Sequence, residues 1–151
     1  MKNLENIMKE LKFEILKPHH DTRKFQSENK QLEKYLQKDA LDEQKCEDKV
    51  THLVIWENEI IGYFSLQVYL QGIPIEDYNI ISNTLPEIPS IDRLPLVEIK
   101  RFCMAEGYEH FKLVENIFDN IIYNIKNIFR NADFDGVSIS ITPECNIQLD
   151  R

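Results

Sequence analysis

LPLVEIKRFCM at residues 94–104, AEGYEH at 105–110, FKLVENIFDNIIYNIKNIF at 111–129 and VSISIT at 137–142 form the stretch that decides the fold. Phe111, Val114, Phe118, Ile121, Ile125 and Ile128 recur at three- and four-residue steps, and Ile117, Ile122 and Phe129 widen the stripe. This is one broad apolar face of a helix over about residues 109–130, packed hard against a sheet. Before it, Pro95 launches a strand. Val97, Ile99 and Cys103 alternate there with Glu98, Lys100 and Phe102, which predicts one apolar and one partly polar face. After the helix, Val137–Thr142 alternates cleanly until Pro143 stops it. Strand, helix and strand then form a right-handed crossover with the two strands parallel.

The upstream sequence supplies the rest of the sheet. Leu4, Ile7, Met8 and Leu11 share one helical face, so residues 1–11 contain an N-terminal helix. Phe13 and Ile15 alternate with Lys12 and Glu14 in a short strand that Pro18 ends. Ser27 reads as an N-cap, with Glu28 in the first turn, for an amphipathic helix over 28–45 carrying Leu32, Tyr35, Leu36 and Ala40. Val50–Trp56 and residues 59–68 are strands joined at Glu57-Asn58, an antiparallel hairpin. Residues 71–95 hold Pro74, Pro86, Pro89 and Pro95, a proline-rich insert too long for an ordinary connection, in which a short helix would fit. The element order is α-β-α-β-β-β-α-β: one α/β domain (α+β, mixed sheet) over residues 1–151, with helices on the sheet.

Composition bounds the function. In 151 residues, 42% hydrophobic and 29% charged, the chain is globular rather than disordered. There is no signal-peptide core and no apolar run of membrane-spanning length, so a cytoplasmic location is expected. Residues 1–50 carry 11 basic and 11 acidic side chains, whereas residues 51–151 carry 7 and 15 and hold the whole net charge of −8. That acidic body repels phosphate backbones and fits a basic protein or an amine better than nucleic acid. Cys46, Cys103 and Cys145 form no CxxC pair, and His19-His20-Asp21 has no evident further ligand, so no metal is expected. A cysteine nucleophile would need His52 or His110 beside it, and neither position compels that reading.

Ligand chemistry belongs at the strand-to-helix junction Ala105–Lys112, where backbone N–H groups meet a helix N-terminus. The hairpin WENEIIGYFSL, the proline-studded insert, LPLVEIKRFCM, the junction at Tyr108, the long helix and FQSENKQLEKYLQKDA together resemble the GNAT superfamily of acetyl-CoA-dependent N-acetyltransferases. The nearest likeness is to its toxin-like branch, over about residues 12–142. That resemblance implies acetyl-CoA held by backbone amides of Cys103, Met104, Glu109, His110, Phe111, Lys112, Leu113 and Val114. It also implies Glu98 as the general base for an acceptor amine, with an ion pair to Lys100 or Arg101 as the alternative role for that carboxylate.

The family's loop follows Tyr or Phe as [Q/R]-x-x-G-x-[G/A]. With Tyr108 as anchor, Glu109 stands in place of Gln or Arg, Lys112 in place of the first Gly and Val114 in place of the second small residue. Glycine lets a phosphate approach the backbone closely, and Val adds bulk there. The resemblance further implies another helix and two strands after Thr142. Only nine residues follow it, so the expected fold is a C-terminally truncated one. That missing helix brings a tyrosine to the family's leaving thiolate, and no tyrosine follows Tyr123 here. Two functions are therefore expected as rivals: an N-acetyltransferase with a degenerate loop, and a catalytically inactive GNAT-fold protein acting through a protein partner or small ligand. An uncovered final strand would also favour a homodimer that completes the sheet.

Overall fold

A computed structural model describes residues 3–46, 49–70, 73–74, 95–132 and 137–141. Helix α1 (Leu4–Glu10) and strand β1 (Lys12–Ile15) come first. Helix α2 (Lys30–Lys34), a π-helical turn (Tyr35–Asp39) and helix α3 (Ala40–Lys45) then run on without a break. Strands β2 (Val50–Trp56), β3 (Glu59–Leu70), β4 (Ile73–Pro74) and β5 (Pro95–Met104) precede the long helix α4 (Phe111–Asn131) and strand β6 (Ser138–Ile141). The sheet order is β1-β2-β3-β5-β6, with β4 paired to β3. All pairs are antiparallel except β5–β6, which is parallel, as a strand-helix-strand crossover requires. Most of the proline-rich insert and Cys145 lie outside the described residues.

Two cores sandwich the sheet. On one face α1 and α4 pack over Val54, Ile61, Phe64, Val97, Ile99, Phe102 and Met104. On the other, α2, the π turn and α3 cover Leu53, Ile55, Tyr63 and Cys103 with Leu32, Tyr35, Leu36 and Ala40. The β2–β3 hairpin turns at Glu57 and Asn58, both at positive φ (49° and 64°). Two left-handed residues in succession twist a two-residue loop to match its strands.

Three local expectations change. Asn29, not Ser27, caps α2: its Oδ1 accepts from the Gln31 and Leu32 amides, both at 3.1 Å. Ser27 is fully buried instead, with its Oγ 3.1 Å from the Cys103 Sγ. The helix over 28–45 contains the π turn, and Tyr35, Leu36 and Ala40 along it are all buried in the core. The strict alternation expected in β5 fails as well. The register against β3 shifts between Ser65 and Leu66, so Ile99 and Phe102 both join the α4-side core. Lys100 and Arg101 lie between them as the bulged pair, and Cys103 enters the opposite core.

His52 lies half-buried on β2, opposite Ile15 of β1, with its ring stacked on Phe64 at 4.9 Å and 4°. Burial pulls its pKa down to about 4. Above its ordinary value of 6.5 the ring is neutral both folded and unfolded, so it contributes no pH dependence there. Between 6.5 and 4 the unfolded chain takes the proton first, and stability is lost as pH falls. His52→Phe should flatten that decline, by up to about 3 kcal/mol at pH 4 and by nothing at pH 7.5. Urea midpoints of both proteins across this range check it; parallel curves would show that His52 is not the group responsible.

Candidate active site

The junction after β5 is tied down from two sides. The Ala105 amide donates to the Ile61 carbonyl (2.9 Å) and the Glu106 amide to the Gln26 carbonyl (2.8 Å). The Tyr108 amide closes a turn on the Ala105 carbonyl (3.0 Å). Gly107 sits at φ +87°, a conformation that side chains resist, and nothing lies within 4 Å of where its Cβ would be. Tyr108 is buried, with its ring against Trp56 at 6.4 Å. The N-cap of α4 is His110, whose Nδ1 accepts from the Lys112 amide (3.1 Å).

These contacts place the residues expected to hold a coenzyme. Leu113 and Val114 are buried against the sheet, and the Val114 amide donates to the His110 carbonyl within the helix (3.0 Å). The Val114 bulk is therefore turned away from the ligand side of the loop, and its amide is committed to the helix. The Lys112 amide is likewise taken by the cap, while the Lys112 side chain is exposed. Cys103 and Met104 are strand residues, paired with Tyr63 and Gly62 of β3, and their side chains are fully buried.

Glu109 is half-buried beside Glu28 and Glu106. Burial, and after it the carboxylates of Glu28 and Glu106, push its carboxyl above the usual range. Glu28 belongs to the loop before α2, and the Gln26–Glu106 backbone bond brings that loop to the junction. Three acidic side chains thus gather where an anionic diphosphate would meet the helix. Glu106 and Glu109 belong to the junction itself; Glu28 arrives through the Gln26–Glu106 contact, 80 residues apart in sequence.

Glu98 lies in the middle of β5, between Gln67 of β3 and Ser140 of β6 in register. Its neighbours Val97 and Ile99 face α4, so Glu98 faces the other way. Of the two cations considered for it, Lys100 is the partner: Nζ is 3.1 Å from the Glu98 Oε1, and the two side chains are 28% and 22% exposed. Arg101 goes elsewhere. Its guanidinium lies 3.9 Å from the centre of the Tyr35 ring, and Nη1 is 4.0 Å from Glu43, which also pairs with Lys49 at 3.0 Å. Burial, and then the Glu43 carboxylate, push the Tyr35 phenol well up. The π turn that delivers Tyr35 to this face was not legible in the sequence.

The fold places the junction and Glu98 on one strand. Met104 is six steps along the chain from Glu98, about 20 Å of extended strand. Solved structures of bacterial toxins share the fold. A mutant of the toxin AtaT bound to the C-terminus of the antitoxin AtaR and to acetyl-CoA superposes with TM-score 0.61 and 11% identity, over 86% of this chain and 74% of that one. AtaT complexed with acetyl-methionyl-tRNAfMet gives 0.59 and 14%, over 86% and 77%. A mutant of KacT gives 0.58 and 12%, over 86% and 77%. The chain has the GNAT fold of these toxins. No family model and no curated protein matches the sequence.

The remaining candidates are placed as follows. His20 and Glu14 are joined (Nε2 to Oε1, 2.9 Å), with His19 beside them at a ring separation of 4.3 Å. The ligand atoms of all three lie within 4.8 Å of one another. The His20 Nδ1 accepts from the Lys17 amide (2.9 Å), so Nε2 carries the proton and donates it to Glu14. In that tautomer neither ring nitrogen of His20 has a lone pair for a metal. Tyr123 is 65% exposed on α4, away from Glu98's face of the sheet. Among the described residues no helix is long and apolar enough to cross a membrane.

Proposed function

We propose that the chain is an N-acyltransferase of the GNAT type that moves the acetyl group of acetyl-CoA to an amine. The observation that carries this is the shared strand. The junction at one end of β5 presents backbone and a helix N-terminus to a diphosphate. Glu98, about 20 Å back along the strand, is in reach of a thioester at the end of an extended coenzyme arm. Glu98 takes a proton from the acceptor ammonium, and the free amine attacks the thioester carbonyl carbon. The tetrahedral adduct collapses as the carbon–sulfur bond breaks, the nitrogen sheds its second proton, and the thiolate takes up that proton through solvent. The acceptor ammonium exchanges places with the Lys100 ammonium at Glu98.

One observation favours the second reading, a GNAT-fold protein that binds without catalysing. Glu28 and Glu106 gather beside Glu109 at the junction, where they would oppose a coenzyme's phosphates, and His110 occupies the Lys112 amide that a phosphate would use. Two unit charges about 4 Å apart in water interact by about 1 kcal/mol. Removing two of the three carboxylates, Glu28→Gln with Glu109→Gln, should therefore tighten acetyl-CoA binding about tenfold. Calorimetric titration decides both questions. Binding by the parent chain, strengthened in the double variant, supports the enzyme. No binding by either protein at millimolar ligand leaves the non-catalytic reading.

AtaT has been solved with a protein antitoxin, and a protein partner is proposed here on the same fold. A second copy of the chain pairing along β6, the last strand in the described order, is the form of self-association the sheet favours.

A further inference from the structure

The amine nearest the proposed base belongs to the protein itself. The Lys100 Nζ is 3.1 Å from the Glu98 Oε1, on the sheet face where the acceptor would lie. Glu98 and Lys100, two residues apart on β5, share that face by ordinary strand alternation. The β5 bulge then seats Arg101 beside Lys100, between Ile99 and Phe102, and Arg101 is drawn off to Tyr35 and Glu43. Lys100 alone of that pair turns to Glu98. Both side chains are partly exposed, so a thioester that reaches Glu98 also reaches Lys100.

We propose that Lys100 is a site of self-acetylation. The inference rests on the acyltransferase reading above, because the same carboxylate serves as base. Glu98 accepts one proton from the Lys100 ammonium, and the neutral amine attacks the acetyl carbonyl carbon. The carbon–sulfur bond breaks, the nitrogen's surplus proton passes to the thiolate, and acetyl-lysine and free thiol are the products. No oxidant, reductant or further reactant is needed. The product is neutral, so the Glu98–Lys100 ion pair is lost and the site becomes one charge more negative. The modified protein then presents an unpaired carboxylate to an incoming cationic amine, so self-acetylation sets how readily the site accepts its substrate.

The test is mass spectrometry of the intact full chain and its peptides after incubation with acetyl-CoA, and separately with S-acetyl-N-acetylcysteamine. The second probe is an acetyl thioester without a diphosphate. One acetyl group should accumulate at Lys100 at least about tenfold faster than on the average of the other lysines, and Glu98→Gln should slow it about a hundredfold. Circular dichroism of the variant confirms that it is folded. Labelling by the small thioester but not by acetyl-CoA supports the Lys100 site while removing the coenzyme from the proposed function. Calorimetric binding of acetyl-CoA with Lys100 labelled no faster than other lysines overturns the self-acetylation and leaves the acyltransferase standing. Equal labelling in the Glu98→Gln variant overturns it too, since the base would then play no part.

Discussion

Phe102→Ala is expected to destabilise the domain by about 3–5 kcal/mol, a large share of the roughly 5–15 kcal/mol that holds a domain folded. Phe102 is fully buried, and its ring sits 4.5 Å from that of Phe118 on α4. Val97, Ile99 and Met104 on the same strand and Ile117 and Ile121 on the helix belong to the same core. Removing the ring therefore opens a cavity at the join of sheet and long helix. The surroundings have little freedom to close it, because both elements are anchored on either side by other buried residues. Urea unfolding measures the loss as a lower midpoint at unchanged slope. The result also discriminates between two descriptions of β5. Under strict alternation Phe102 would share the partly polar face of Glu98, and its truncation would cost well under the amount expected for a core aromatic. A cost below about 1 kcal/mol would thus contradict the bulge.

The bulge marks the boundary of what periodicity can show. A 21-residue amphipathic helix declares itself because nine apolar residues repeat one geometric rule. The hairpin at Glu57-Asn58 and the parallel β5–β6 pair follow from similarly local or topological rules. One extra residue in β5 changes the face of every residue after it and leaves no compositional trace, because Phe102 and Cys103 are both apolar. The π turn is the same problem in a helix: Tyr35, Leu36 and Ala40 fit an ordinary apolar stripe well enough to hide it. The candidate site shows the same division. Glu98 and the 105–112 junction were legible because both sit on one continuous stretch of chain. The Glu28–Glu106–Glu109 group and the Arg101–Tyr35–Glu43 contact were not, because each joins segments far apart in sequence. The consequence is chemical as well as descriptive: the side chains opposing a diphosphate come partly from the loop before α2, outside the stretch that carries the family's loop pattern.

Glu98→Gln should lower kcat/KM for acetyl transfer about 10²–10⁴-fold while leaving acetyl-CoA affinity unchanged. The amide keeps the shape of the side chain and can still accept a hydrogen bond, but it cannot take the ammonium proton. An amine that stays protonated has no lone pair with which to attack. The fold should tolerate the change, since a partly exposed ion pair such as Glu98–Lys100 contributes about 0–1 kcal/mol. The split between kcat and KM separates a base from a merely binding carboxylate: loss of a base falls on kcat. A variant that binds substrate more weakly but turns it over at the parent rate would make Glu98 a binding group only. Lys100→Met sharpens the comparison. It removes the resident cation from Glu98 without touching the carboxylate, so a base competing between Lys100 and the acceptor should gain in acceptor KM, whereas the loss in the Glu98 variant should fall on kcat.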